Sequence, residues 1–518
     1  MRCTNLRTTL TLALAACAVL SSTAMAQTPA GQTGPVRRLT VDEAVRLSLE
    51  QNLGIQIDRL SPQIQDLTVS QARSAWVPNL TSSFLNNSTN SPATSALSGG
   101  RTATTDSAFT SQLGVNQVLP TGTSYSAAWN GGRSTTTSTF TNLNPLLSSN
   151  VQFSVTQPLV RNFKIDNLRQ TLETAQKDRE AADIQLQSTI LSTARNVKNA
   201  YWDLAFQIDN LQAQQQSLDL AKRLLADNEK RVQIGTMAPI DIVEAQSEVA
   251  RNEESVIVAD AAIKQAEDRL RALVFDPDMP DFWTLTIEPV ETMPFLAQAV
   301  DVDGAVQHAL ANRVDLATAK NGLQRTDINI RYYRNQSLPD ISAQASYRSN
   351  GVGGVVLSPV NFANPNDPRV IVNQSGYGSV LGDVFGNSFP TWSVGVTLAY
   401  PIGRSQSEAS LARAKLQYSQ SETELKNLQL QVTTQVREIG RQVQTNQKRV
   451  DSARAARELA ERRLEAEEKK FAAGIQISFF VFQAQRDLAQ ARTTEIRAIS
   501  DYNKSLVDFE AVQFTPLR

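Results

Sequence analysis

The chain holds one histidine, His308, and two cysteines, Cys3 and Cys17, both within the first 17 residues. A zinc site, a thiol nucleophile or a histidine-based triad needs several such residues brought together, and this sequence cannot assemble one. Paired carboxylates would offer hydrolytic chemistry, yet the 51 Asp and Glu residues are spread along 518 positions without a focused acidic cluster. No catalytic residue, cofactor site or metal ligand is expected. The 50 Lys and Arg residues leave a formal net charge of -1, so nucleic acid is not an expected partner.

With reaction chemistry set aside, the informative residues are those that build elements. Arg2 and Arg7 precede an apolar stretch from Leu10 to Leu20, and Ala24-Met25-Ala26 before Gln27 has the small-x-small form of a cleavage site. Residues 1–26 therefore read as a secretory signal peptide. Leu14-Ala15-Ala16-Cys17 offers a competing reading, a cysteine lipidated after cleavage. Beyond this segment no run approaches the ~18 to 20 apolar residues that cross a bilayer as a helix. A mature chain that enters a membrane must do so as strands.

The sequence repeats itself. Val41, Asp42, Ala44, Val45 and Leu49 recur as Val302, Asp303, Ala305, Val306 and Leu310, and Gln63, Asp66, Arg73 and Pro78 as Gln324, Asp327, Arg334 and Pro339. Further on, Leu225, Glu229, Lys230, Gly235, Ala245, Gln246 and Ala250 recur as Leu464, Glu468, Lys469, Gly474, Ala484, Gln485 and Ala489. The expected organisation is a first repeat (27–274), a connecting segment (275–300) and a second repeat (301–518). Each repeat opens with short helices. Strands follow at about 79–158 and about 340–401, then a long helix pair at about 162–274 and about 405–512. Thr40 with Glu43 provides a capping box in the first repeat, and Asp301 or Asp303 can cap in the second.

Long helices of about 70 residues extend on the order of 100 Å at ~1.5 Å per residue, far beyond a compact domain. Ile190, Val197, Leu204, Leu211, Leu218, Leu225 and Val232 recur at every seventh position, the spacing of supercoiled helices. The corresponding stripe, Val436, Val443, Val450, Arg457, Leu464 and Phe471, is interrupted once, by Arg457. The strands alternate. Trp392, Val394, Val396, Leu398 and Tyr400 are separated by Ser393, Gly395, Thr397 and Ala399, while Val151, Phe153 and Val155 alternate with Gln152, Ser154 and Thr156. Tyr125 and Trp129 lie on a similar strand. Outward aromatics over small polar inward residues fit a barrel wall with lipid outside and water inside, and a half-buried soluble sheet is the alternative. One chain offers four to six strands against a minimum of about eight for a closed membrane barrel. Several chains must complete it together.

Together these parts resemble the TolC-like outer-membrane efflux proteins over about residues 38 to 514. The elements that carry the resemblance are Glu229-Lys230-Arg231-Val232-Gln233-Ile234-Gly235 followed by Asp241 and Ala245-Gln246, and Glu468-Lys469-Lys470-Phe471-Ala472-Ala473-Gly474 followed by Ala484-Gln485. The resemblance implies an α+β membrane protein in the cell outer membrane. In it a homotrimer forms a β-barrel continued by a periplasmic α-helical coiled-coil barrel. It implies docking to a periplasmic adaptor and an inner-membrane pump, proton-driven or ATP-driven, with residues 275–300 as an equatorial belt. It also implies a gate at the helical tip, near Gly235, Asp241 and Gly474. Where the family pattern carries an arginine and two aspartates, this chain has Gln476, Phe480 and Gln483. An apolar constriction, rather than an acidic ring, is the resulting expectation.

The residues expected to face lipid are Tyr125, Trp129, Phe153, Trp392, Val394, Val396 and Leu398. An additional hairpin around Pro120 leaves two counts open, six strands per chain inside the wall or four, with long loops expected at about Asn86 to Ser107 and Gly131 to Ser149. His308 is expected to pack its helix. The rival function is a non-conducting structural coiled-coil protein of the envelope.

Overall fold

The computed structural model describes residues 35–93, 102–361, 367–403 and 405–513. The signal-peptide segment, with Cys3 and Cys17, lies outside the described residues. Helix α1 (Val41–Gln51) starts at Thr40, whose side chain accepts from the Glu43 amide at 3.2 Å. Helix α2 (Leu53–Ser74) is capped by Asn52, and the Asn52 Nδ2 also donates to the Leu273 carbonyl at 3.0 Å. Leu273 closes α4 (Ile240–Val274), the returning partner of α3 (Asn167–Gln233). Thus α2 and α4 stack end to end along α3. In the second half α5 (Val302–Asn312) begins at Asp301, which accepts from the Gly304 amide, and α6 (Val314–Gln336) follows. Here α6 and α9 (Ser478–Val512) both lie along α8 (Gln406–Ala472). Both long helices have 67 residues and both returning helices 35. At ~1.5 Å per residue, 67 residues span on the order of 100 Å. Among the described residues, no helix is long and apolar enough to cross a membrane.

The heptad stripes are buried unevenly. Val436, Val443, Val450, Leu464 and Phe471 are interior. Arg457 keeps its place in the row by pairing with Glu495 and Glu461, and Glu461 in turn accepts from Arg492 at 3.2 Å. In α3, Val197 and Leu204 are buried, whereas Leu211, Leu218, Leu225 and Val232 are half-exposed and Ala213, Ala221, Leu224 and Asn228 take the interior. Around Leu204 α3 packs on the cluster formed with α1 and the belt, and nearer the tip on residues of α4, α8 and α9. The buried face turns with the change of partners, which the seven-residue spacing does not convey.

Two tyrosines fasten the connecting belt. The Tyr201 hydroxyl donates to the Leu39 carbonyl at 3.1 Å and accepts from the Glu291 amide at 3.2 Å. The Tyr502 hydroxyl donates to the Leu296 carbonyl at 2.8 Å and accepts from the Gln298 amide at 3.1 Å. Between them β6 (Thr286–Pro289) pairs in parallel with β1 (Val36–Leu39), a pairing absent from the sequence reading. His308, expected to pack its helix, is instead exposed. Its Nδ1 donates to the Gln513 carbonyl at 2.9 Å, just past the end of α9.

The main sheet runs in the order β2 (Asn79–Pro92), β3 (Ala103–Val118), β4 (Ser124–Thr136), β5 (Leu143–Pro158), β7 (Asp340–Leu357), β9 (Phe389–Ala399), antiparallel throughout. The short β8 (Ile371–Ser375) pairs with the far end of β7. The extra hairpin, turning at Gly122 with φ +85, is therefore an integral part of the sheet. Two expected loops are corrected. Asn86 to Pro92 pairs in register with Phe109 to Ala103, and β4 and β5 extend to Thr136 and from Leu143. Ser, Thr and Asn runs read as loops, yet a ladder satisfies their backbone groups regardless of side chain. Between β8 and β9 lies α7 (Tyr377–Phe385), so the descending strand is interrupted by one short helix resting on β7.

Two outcomes test this packing. A methyl group at Gly351 would overlap the Val380 carbonyl of α7. Gly351→Ala is expected to cost ~1–3 kcal/mol, and an unchanged thermal midpoint would refute the close approach. Burial raises the Glu461 pKa, but hydrogen bonds from Arg492 and Arg457 outweigh it and hold the group below its ordinary value of 4.5. A depressed folded-state pKa stabilises above the unfolded value, and that contribution fades as pH falls through the folded one. Melting followed by circular dichroism should fall on acidification to about pH 3, and less steeply in Glu461→Gln; identical slopes would remove Glu461 from the effect.

Candidate functional site

On this frame the sheet has two chemically distinct faces. Directly opposed residues of an antiparallel pair share a face. The register therefore places Tyr125 and Trp129 of β4, Phe153 of β5, and Trp392, Val394, Val396 and Leu398 of β9 on one side. Leu113, Val115, Val155, Ile341 and Tyr347 extend the same side. On the other side Asn130 donates to Asn150 at 3.0 Å, Ser126 and Ser154 meet at 2.7 Å, Arg348 donates to Gln152 at 2.6 Å, and Ser346 and Ser393 meet at 2.8 Å. One side is apolar and the other is a ladder of cross-strand polar pairs. Helix α7 lies on the apolar side, with Val380 and Val384 buried, Tyr377 over Gly131, and the Val384 carbonyl accepting from Ser349 at 2.6 Å.

The opposite end of the molecule is formed by the two helix reversals. Gly235 and Gly474 adopt φ +76 and +73, the left-handed conformation that glycine takes without strain. Each closes the same motif. The Gly235 amide donates to the Val232 carbonyl at 3.0 Å and Thr236 to Arg231 at 2.9 Å, while Gly474 donates to Phe471 at 3.0 Å and Ile475 to Lys470 at 3.0 Å. Between the reversals a small core joins Leu224, Ala245, Leu464, Phe471, Phe482 and Leu488. Around this core three residue pairs join the first half to the second. The Arg231 guanidinium lies 4.3 Å over the Phe471 ring and donates to the Phe471 carbonyl, Ser478 donates to Asp241 at 3.3 Å, and Arg486 pairs with the buried Glu248 at 3.4 Å.

Residues 45–274 and 305–512 match the family model for outer membrane efflux proteins. The chain belongs to that family. Its fold is similar to the crystal structure of a membrane protein from Pseudomonas aeruginosa (TM-score 0.65, 16% identity, 91% of this chain and 92% of that one). It is also similar to the outer membrane protein VceC from Vibrio cholerae (0.63, 14%, 92% and 97%) and to the open state of the Neisseria gonorrhoeae MtrE outer membrane channel (0.62, 15%, 92% and 89%). No curated protein matches it in sequence. As an outer membrane efflux protein the chain is placed in the outer membrane and extends into the periplasm. The MtrE likeness is to a channel rather than to an enzyme.

The tip of this efflux protein gathers most of the residues singled out from its sequence. Asp241 sits in the first turn of α4 and pairs with Ser478 rather than with a cation. Gln476 is half-buried, Gln483 is exposed, and Phe480 is exposed beside Phe479 at 5.7 Å between ring centroids. Within the apolar run, Val481 and Phe482 turn into the tip core, while Ile475, Ile477, Phe479 and Phe480 stay at the surface. The Arg231–Phe471 and Glu248–Arg486 contacts were not found from sequence. Each joins residues about 240 positions apart, and only the offset of the two halves hinted at their proximity. A side chain at Gly235 meets no atom within 4 Å, so Gly235→Ala carries only the conformational cost of positive φ. It is expected to be ~1–2 kcal/mol. Hydrogen exchange should accelerate at the Gly235 and Thr236 amides; unchanged protection there would contradict the assignment.

Proposed function

We propose that three copies of this chain form a passive export duct. In this reading a barrel in the outer membrane opens into a helical tunnel that crosses the periplasm. Tyr125, Trp129, Phe153, Trp392, Val394, Val396 and Leu398 face lipid, and the Asn130–Asn150 and Arg348–Gln152 rungs face water. The single observation that carries this is a sheet with one apolar face and one polar face, standing directly on helices of 67 residues. A non-conducting rod would have no use for such a sheet. The tip docks to a periplasmic adaptor and, through it, to an inner-membrane pump that supplies the energy.

In this reading the gate is the tip. Ile475, Ile477, Phe479 and Phe480 are the exposed apolar residues beside the second reversal, and Arg231–Phe471, Ser478–Asp241 and Arg486–Glu248 hold the two reversals together. Three copies bring three such apolar surfaces around one axis, and a narrow apolar ring closes by dewetting. In planar bilayers the protein should form channels, and Phe480→Ala should raise the resting single-channel conductance. Conductance equal to that of the unaltered protein would remove Phe480 from the gate, and the absence of any channel would refute the duct.

A further inference from the structure

The described sheet ends in two bare strands. Strand β9 is exposed along its whole length, and β2 is exposed at all positions except Ser91. The helices end in the same way. Leu53, Ile57, Leu60, Ile64 and Leu67 recur along α2 at alternating spacings of four and three, the seam of a coiled coil, and every one is exposed. On α8, Leu416 and Leu430 are exposed 14 positions apart, the same separation as Leu53 and Leu67. In sequence α2 leads into β2, and β9 leads into α8. The bare strand and the bare helix on each flank are therefore continuous, one flank being α2–β2 and the other β9–α8.

Within lipid an unpaired strand edge is forbidden, because no water is available to satisfy its amides and carbonyls. Something must cover both flanks, and their complementarity identifies it. Strand β2 runs away from the helices and β9 runs toward them, so β9 of one copy meets β2 of another antiparallel, continuing the alternation of the sheet. Leu80 and Phe84 of β2 share the apolar side with Leu398 and Val394 of β9. A register that keeps this parity carries both faces unbroken across the join. Below it, antiparallel packing of α2 on a neighbouring α8 brings Leu67 toward Leu416 and Leu53 toward Leu430.

We propose that all six strands of each chain enter the wall, so that the three copies of the duct, each covering its neighbour's flank, close it with eighteen strands through β9–β2 joins. The same seam continues below as α8 against α2. The inference rests on the trimeric duct reading and specifies its architecture. Six strands from each chain enter the wall because β3 and β4 are paired on both sides, to β2 and to β5. Barrel diameter grows about linearly with strand number, so eighteen strands make an exit roughly half as wide again as twelve and leave an aqueous lumen. Selection by size then falls to the tip and not to the barrel.

Cysteine pairs introduced into the full-length protein in outer membranes test the join. Thr81 and Thr397 lie on the polar side of β2 and β9. Thr81→Cys combined with cysteine at Thr397, Ser393 or Thr391 should give covalent dimers and trimers on oxidation in at least one combination. Thr81 and Gln152 are separated by β3 and β4, on the order of 14 Å, beyond disulfide reach. Thr81→Cys with Gln152→Cys should stay uncrosslinked. An intrachain Thr81–Gln152 disulfide, the sign of a hairpin displaced from a twelve-stranded wall, would overturn the proposal, and so would the absence of any β2–β9 product. Leu67→Cys with Leu416→Cys probes the helical seam without touching the barrel, and only monomer from this pair would also count against it. Single-channel conductance of the same samples reports the duct separately: conducting protein with the wrong cross-links sinks the architecture alone.

Discussion

A polypeptide in hydrocarbon must satisfy every backbone amide and carbonyl from within itself. The rest of this structure depends on that constraint. Strands β2 to β5, β7 and β9 of one chain form a continuous antiparallel sheet, and each internal strand is paired on both sides. In the proposed wall its two outer strands cannot stay bare, so other copies of the chain must complete it. The side chains then divide the labour. Trp392, Val394, Val396 and Leu398 make one face apolar, and the Asn130–Asn150, Ser126–Ser154 and Ser346–Ser393 pairs make the other polar, the division that the proposed duct turns to lipid and to water.

Below the sheet the governing quantity is length. Helices of 67 residues cannot bury their apolar rows in a globule, so they bury them against one another. Such packing is tolerant of a charge only when the charge is paired, and Arg457 illustrates the condition with its Glu495 and Glu461 partners. The belt is held by Tyr201 and Tyr502, each of which both donates and accepts through one hydroxyl. At the far end Gly235 and Gly474 reverse the chain through the same hydrogen-bonded motif. The reversals set Arg231, Asp241 and Glu248 against Phe471, Ser478 and Arg486, so the tip is fastened by contacts between the two halves of the chain.

Local periodicity made part of this legible in the sequence. The alternation from Trp392 to Tyr400, the seven-residue row of α8 and the two glycines each report a neighbour relation within a few residues, and the described elements follow them closely. What escaped the sequence reading depends on distant partners. Asn86 to Pro92 looks like a polar loop, yet it is a strand because Ala103 to Phe109 lies beside it. Strand β1 exists only against β6, some 250 residues later. Helix α7 fits because Gly131 and Gly351 leave room for it, which no local pattern announces. The lower part of α3 buries Ala221 and Leu224 ahead of Leu218 because of the helices that flank it there. Repeat offset aligned the two tips, but which side chains would touch across them was not written in either copy.

The most direct test is a density map of the purified protein in a lipid nanodisc, read at the level of the membrane. The account predicts a closed wall of eighteen strands from three chains, with β9 of each chain beside β2 of the next and the polar rungs lining a continuous lumen that narrows only at the helical tip. A closed wall of twelve, with β3 and β4 outside it, or a chain whose sheet lies outside the bilayer, would contradict it.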